Sequence, residues 1–518
     1  DPRPAYDLLL RGGRVIDGSG NPWYAADVGV RDGRVAAVGP LDPARAARVI
    51  DVSGLVVAPG FVDVHAHVEG SVRARGTADN FVADGVTALV TGNCGGSDTD
   101  LPALFTELEQ KGISLNLATL IGHNSVRRAV MGAEERDPTA EDLARMEAIV
   151  DRAMKDGAVG LSTGLIYVPG TYAKTDEIVA LARVAARHGG LYASHIRNEG
   201  DRVFEAIDEA IGIGRAASLP VEISHFKISN KRLWGRSEET LARVDRARRE
   251  GIDVTVDQYP YTASSTNLGT LLPSWALAGG TEEMKKRLAD PPTRRKVVEA
   301  MKRRARESKR KKYDYAVVAR CEWDPSREGK SINQLSRERG RKGKLADDIE
   351  TVLDMMAKGG AGMVYHSMHE EDVERILRHP YSMVASDAGI PEPGVGAPHP
   401  RGYGTNARVL GRYVRDRRAV RLEEAIRKMT SLPAQRFGLL DRGLVRPGMW
   451  ADLVAFDPAT VRDTATFEKP HAYAEGFRYV IVNGAVVIDG GRHTGARPGK
   501  VLKGPGAVNS VSVAGEAR

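Results

Sequence analysis

Eight short apolar runs, most of them separated by amphipathic stretches, constrain this chain more than any other feature. They are G-F-V-D-V-H (60–65), T-A-L-V-T-G-N (87–93), S-L-N-L-A-T-L-I-G-H (114–123), A-V-G-L-S-T-G-L (158–165), L-Y-A-S-H-I (191–196), V-E-I-S-H-F (221–226), D-V-T-V-D-Q-Y (253–259) and S-M-V-A-S-D (382–387). Strands buried on both faces read as continuous rather than alternating apolar runs. The intervening segments, such as A-E-D-L-A-R-M-E-A-I-V-D-R-A-M (140–154), carry helical periodicity. Strand–helix alternation argues for a parallel sheet, and eight units predict an α/β (β/α)8 TIM barrel.

The gap between strands seven and eight is too long for one helix, so residues 266–360 must hold an insertion, expected to act as a lid. Short β segments also occur at both ends of the chain. D-L-L-L-R-G-G-R-V-I-D-G (7–18) and a hairpin around Asp32-Gly33 lie near the start; Y-V-I-V-N-G-A-V-V-I-D-G (479–490) turns at Asn483-Gly484. They predict a small β-sandwich domain built from residues 1–58 and 436–503, with the catalytic barrel (59–435) inserted between them. Residues 504–518 read as a flexible tail.

Composition excludes some classes. No apolar run approaches the roughly 18–20 residues of a membrane span, so no membrane partner is expected. Two cysteines in 518 residues, Cys94 and Cys321, cannot form a disulfide framework. Residues 301–345 hold 16 Lys or Arg against 6 Asp or Glu. That stretch is read first as a solvated, partly mobile basic insertion and second as an attractor of anionic substrates. It lacks aromatic interleaving and any binding motif, so no nucleic acid is expected. The chain opens Asp1-Pro2 without a methionine, which leaves a cytoplasmic location and export after removal of a leader both open. Oligomeric state is not legible.

In a barrel, chemistry gathers at the C-terminal ends of the strands. There the chain places His65 and His67 (strand one), Cys94 in V-T-G-N-C-G-G (strand two), His195 (strand five), His225 (strand six) and Asp387 (strand eight). Imidazole, thiolate and carboxylate are metal-ligand types, and the first two suit zinc. An H-x-H pair alone is weak; six such residues at strand ends are a far stronger signal.

F-V-D-V-H-A-H, T-G-N-C-G, S-H-I-R-N-E, I-S-H-F-K, A-S-D and the closing G-A-R-P-G together resemble the D-aminoacylase (N-acyl-D-amino-acid deacylase) family of the amidohydrolase superfamily. The resemblance covers nearly the whole chain. It implies zinc-dependent hydrolysis of the amide bond of N-acyl-D-amino acids. It also implies that Cys94 takes the place of the strand-four lysine used by many dinuclear relatives, since A-V-G-L-S-T-G-L-I-Y has none. Cys94, His195 and His225 would hold one tight zinc; His65, His67 and Asp387 would form a second, weaker or empty site. Asp387 would be the general base and Tyr167 would lie near the scissile carbonyl. Lys227, Tyr259, Ser265 and Arg401 would bind the substrate carboxylate, with Lys227 on the same strand face as His225. The glycines around Cys94 would let the backbone turn close to a metal. The expected partner is a small N-acyl-amino acid. Rival readings are a dipeptidase for C-terminal D-residues, a cyclic-amide hydrolase or deaminase, and an inactive scaffold. Three departures lie beside the carboxylate pocket: a long 388–400 stretch, Ala388 after Asp387, and G-T-N-A-R-V-L (404–410).

Overall fold

The computed structural model describes residues 4–507. Eight parallel strands form the barrel: β1 (Phe61–Asp63), β2 (Val86–Thr91), β3 (Asn116–Thr119, resuming as Ile121–Gly122), β4 (Gly160–Gly164), β5 (Leu191–His195), β6 (Val221–Ile223), β7 (Val254–Gln258) and β8 (Ser382–Val384). Register runs Val62↔Ala88, Leu89↔Leu117, Ile121↔Leu161, Leu161↔Tyr192, Ala193↔Glu222, Glu222↔Thr255 and Asp257↔Met383. β8 meets β1 beyond their strand ends, where Asp387 N–H donates to His65 O and His67 N–H to Ala388 O, both at 2.8 Å. These two bonds therefore lie among the very residues expected to do chemistry.

Alternating side chains serve two cores. Phe61, Leu89, Leu117, Tyr192 and Val256 pack outward against helix residues such as Leu104, Met146, Ile178 and Ile207. Val62, Ala88, Val90, Ala118, Ala193 and Met383 form a separate cluster on the alternate positions. The helix Ala140–Asp156 shows why such segments dock. Met146, Val150, Ala153 and Met154 make one buried stripe, Thr139 and Asp142 form a capping box, and Gly157 ends it. Such a cap contributes about 1 kcal/mol.

The chain ends meet in one nine-stranded sheet, where Val56–Pro59 pairs antiparallel with Leu453–Phe456. Both expected hairpin turns have left-handed central residues: Asp32 and Gly33 at φ 51° and 75°, Asn483 and Gly484 at 48° and 82°. Buried Asp452 ties this sheet to the barrel, pairing with Arg442 and accepting from Asn116 of β3. Past His493 the chain leaves the sheet. Val501 bridges Leu117 in parallel, and Gly504 N–H donates to Gly157 O, so residues 499–504 lie against the barrel. The rest of the expected flexible tail, from 508, lies outside the described residues.

The segment after β7, whose basic stretch reads from sequence as a solvated, partly mobile insertion, has a sheet and a core of its own. Ser264–Asn267, Gly362–Tyr365 and Ala316–Arg320 form an antiparallel sheet in that order. Four helices, Thr281–Ala289, Pro291–Glu307, Ile332–Glu338 and Leu345–Ala357, cover a separate core of Leu268, Met301, Val318, Cys321, Leu335, Ile349 and Met363.

Candidate metal centre and substrate cavity

Three donors stand on left-handed backbone: Cys94 at φ 52°, His225 at 38° and Asp387 at 53°. Non-glycine residues rarely adopt this conformation, and it concentrates at functional sites. Each is locked by neighbours. His225 N–H donates to Asp257 Oδ1 at 2.8 Å, and Asp387 N–H to His65 O. The Cys94 turn needs its glycines. A Cβ at Gly92 (φ 77°) would lie 2.2 Å from Leu120 O, and one at Gly95 (φ 76°) 2.0 Å from Asn124 Oδ1.

Cys94 Sγ lies 3.4 Å from His65 Nε2 and 3.5 Å from both His195 Nδ1 and His225 Nε2. Tetrahedral zinc, with bonds of about 2.0–2.1 Å to nitrogen and about 2.3 Å to sulfur, puts neighbouring donors about 3.3–3.6 Å apart. The sulfur–nitrogen spacings fit. His195 Nδ1 and His225 Nε2, at 2.7 Å, would open by about 0.6 Å to admit the ion. Among the described residues three overlapping donor sets qualify: Cys94, His195 and His225; His65, His67 and Cys94; and His65, His225 and Asp387. Burial alone would push the Cys94 thiol up, but the charges of His65 and His225 and a hydrogen bond from His195 hold it well below the usual thiol range. A thiolate is the form that binds metal.

Two carboxylates that the sequence reading did not single out orient the imidazoles. Asp257 Oδ2 faces His65 Nδ1 at 3.0 Å, leaving Nε2 toward Cys94. Glu199 Oε1 lies 3.0 Å from His225 Nδ1 and 2.5 Å from Lys227 Nζ. Burial opposes ionisation of Glu199, but Lys227 and then His195 and His225 hold it well below the ordinary carboxylate range. Metal-binding histidines characteristically hand their second ring N–H to such groups. Glu199 does stand in S-H-I-R-N-E and Asp257 near the end of the β7 run. Glu199 depends on the fold of the loop after β5, and Asp257, within β7, on how the barrel sets that strand against His65.

A cavity of about 460 Å³ is lined by His67, Cys94, Tyr167, His195, His225, Lys227, Tyr259, Ser265, Asp387 and Arg401. His65 is fully buried beneath it. All eleven residues singled out from sequence thus converge on one place. Asp387 lies 3.1 Å from His67 Nε2, 3.6 Å from His65 Nε2 and 2.9 Å from Arg401 Nη1. Burial would raise the Asp387 carboxyl, yet Arg401, then His65 and His67, hold it well below the usual range. Arg401 stacks over Tyr259 at 4.4 Å, and the buried Tyr259 hydroxyl has no hydrogen-bond partner among the described residues. Tyr167 Oη is 2.9 Å from Thr266 Oγ1; burial and then Cys94 push it well above the usual phenol range. Ser265 Oγ donates to Met363 O at 2.9 Å. One expectation needs correction. β6 ends at Ile223, so strand alternation does not align Lys227 with His225. Lys227 instead reaches back to His225 Nδ1 at 2.9 Å and to its carbonyl at 2.7 Å.

A barrel with thiolate, imidazole and carboxylate donors at its strand ends defines a class, the metal-site hydrolases of the amidohydrolase type. The amidohydrolase family model matches residues 48–488, and the chain belongs to that family. It is 39% identical to the D-aminoacylase of Alcaligenes xylosoxydans xylosoxydans over 525 aligned residues, covering 97% of this chain and 98% of that one. A crystal structure of D-aminoacylase, described as defining a novel subset of amidohydrolases, matches with a TM-score of 0.82 at 38% identity, covering 96% of this chain and 100% of that one. The N-acyl-D-glutamate deacylase of Bordetella bronchiseptica, solved with zinc and a phosphonate mimic of the tetrahedral intermediate, matches with a TM-score of 0.82 at 37% identity, covering 96% and 99%.

Proposed function

We propose that this chain is a zinc-dependent deacylase that hydrolyses N-acyl-D-amino acids to a carboxylate and a free D-amino acid. The observation that carries the reading is one cavity joining Cys94, with His195 and His225 at zinc-donor spacing from its sulfur, to Asp387 and to Arg401. Cys94, His195 and His225 would hold the tight ion; His65, His67 and Asp387 would offer a second, weaker position. Zinc, when bound, lowers the pKa of water toward about 7 and polarises the scissile carbonyl.

The remaining work falls to side chains. Asp387 accepts the proton of the attacking water on a carboxylate oxygen and returns it to the departing amide nitrogen. Tyr167, held protonated by its surroundings, donates from Oη to the carbonyl oxygen as negative charge develops there. Arg401 presents a planar fork to the substrate carboxylate, with Tyr259 Oη, Ser265 and the Lys227 ammonium beside it. Arg401 is paired to Asp387 in the free protein. An arriving carboxylate competes for that guanidinium and leaves Asp387 more basic, which couples binding to proton acceptance. The insertion serves as the lid, because Ser264–Asn267 supplies both its first strand and a wall of the cavity. The test is amine release from paired N-acetyl-D- and N-acetyl-L-amino acids by the zinc-loaded chain. Turnover of the D-forms alone is expected; turnover of neither, with zinc bound, refutes the reading.

A further inference from the structure

The substrate cavity adjoins a second chamber of about 140 Å³, and the two share Ile166, Glu199, Ser264 and Thr266. The insertion builds the far wall with Arg304, Arg310, Tyr313, Tyr315 and Tyr365. Among the described residues neither arginine has a carboxylate partner. Arg304 Nη1 donates to Thr270 O at 2.6 Å. Arg310 lies over the Tyr315 ring at 3.9 Å, and its Nη2 is buried without a hydrogen-bond partner.

Three other arginines of the insertion have carboxylate partners. Arg294 meets Glu350 at 2.5 Å, and Arg339 and Arg341 meet Asp354 at 3.1 and 2.9 Å. Nor do nearby carboxylates compensate the chamber. Glu199 is held by Lys227 and His225, and Asp314 pairs with Lys312 at 3.0 Å. Arg304 is exposed at the rim and water serves its charge, so the cost falls on the half-buried Arg310; an entering anion relieves it, and a planar guanidinium favours a carboxylate.

We propose that this chamber is a carboxylate subsite and that Arg310 is a specificity-determining residue, selecting substrates with a second carboxylate besides the one at Arg401. The inference rests on the deacylase reading above. The second carboxylate can sit on a short D-side chain or at the far end of a short acyl arm; its recognition is the same in either place.

The test uses the zinc-loaded full chain and two near-isosteric pairs: N-acetyl-D-glutamate against N-acetyl-D-glutamine, and N-succinyl-D-alanine against its terminal amide. Wild type should favour the charged member of one pair by about tenfold or more in kcat/KM. Preference in the first pair places the carboxylate on the side chain, and in the second on the acyl arm. Arg310→Met should abolish that preference while retaining turnover of the neutral member, which also reports correct folding; Arg304→Met should weaken it. Neutral members turned over with no preference in either pair would overturn the subsite and leave the deacylase reading standing. A preference that survives both substitutions would also overturn it, and no turnover of any of the four would sink both.

Discussion

Glu199→Gln removes a charge while keeping the shape of the side chain. Glu199 meets the Lys227 ammonium at 2.5 Å and His225 Nδ1 at 3.0 Å, with Lys227 and His225 almost wholly shielded from solvent. Losing one partner of a buried pair costs about 3–5 kcal/mol. Unfolding entropy near 2.1 cal/mol/K per residue gives roughly 1.1 kcal/mol/K for a chain of 518 residues, so Tm should fall by about 3–5 °C. The second effect is on metal. His225 loses the anionic acceptor that fixes its ring, and zinc affinity should fall about 10–100-fold. Competition with a chromophoric chelator at fixed pH reads affinity, and calorimetry of the apo and zinc-loaded forms reads stability. Adding Lys227→Met should recover most of the lost Tm, because no ammonium is then stranded, without restoring zinc affinity. Unchanged zinc affinity in Glu199→Gln would refute the orienting role, and an unchanged Tm would refute the buried pair.

Three further outcomes are expected. Asp387→Ala should retain the tight zinc by metal analysis and lose about 10²–10⁴-fold in kcat, the usual contribution of general acid–base catalysis. Arg401→Ala should act mainly on KM in steady-state kinetics, with Arg401→Lys intermediate because charge remains and the fork is lost. Burial beneath β8 pushes Lys428 down to about 7, against about 10.4 in an unfolded chain. Between those values the unfolded chain holds the extra proton, so this group makes stability rise with pH by about 1.4 kcal/mol per unit. Urea unfolding from pH 7 to 10 should show that slope in wild type and lose it in Lys428→Met.

Much of the fold was legible because strands buried on both faces leave unbroken apolar runs, and all eight fall where such runs occur. The ends of those runs were less legible. V-E-I-S-H-F reads as strand through Phe226, yet His225 turns left-handed and strand pairing stops at Ile223. The donor residues were found because their chemistry is rare and they stand at strand ends. Glu199 and Asp257 were passed over because acidic residues are common: Glu199 reaches the imidazoles from the loop after β5, and Asp257 from inside β7, where only the folded barrel sets it against His65. The basic stretch misled for a similar reason. A window on 301–345 omits Asp354, which neutralises Arg339 and Arg341 from the next helix. It also hides Met301, Ile332 and Leu335, which belong to the insertion's own core.

Backbone conformation is what the sequence least reveals, and it offers a separable test of how the metal centre is prepared. Left-handed backbone costs a non-glycine residue about 1–2 kcal/mol, and Cys94, His225 and Asp387 all adopt it. Glycine would relieve that cost at each position but would remove the donor, so stability and ligation oppose one another there. Cys94→Ala and Cys94→Gly both delete the thiolate and should both lose tight zinc. They differ in backbone alone: alanine keeps the Cβ at φ 52°, whereas glycine does not. The glycine variant should therefore be more stable than the alanine variant by about 1 kcal/mol, the steric relief being partly offset by glycine's greater unfolded-state entropy. Denaturant unfolding of the two zinc-free variants measures this difference directly. An alanine variant as stable as the glycine variant, or more so, would mean that position 94 is unstrained and that the donor is placed by the fold without conformational cost.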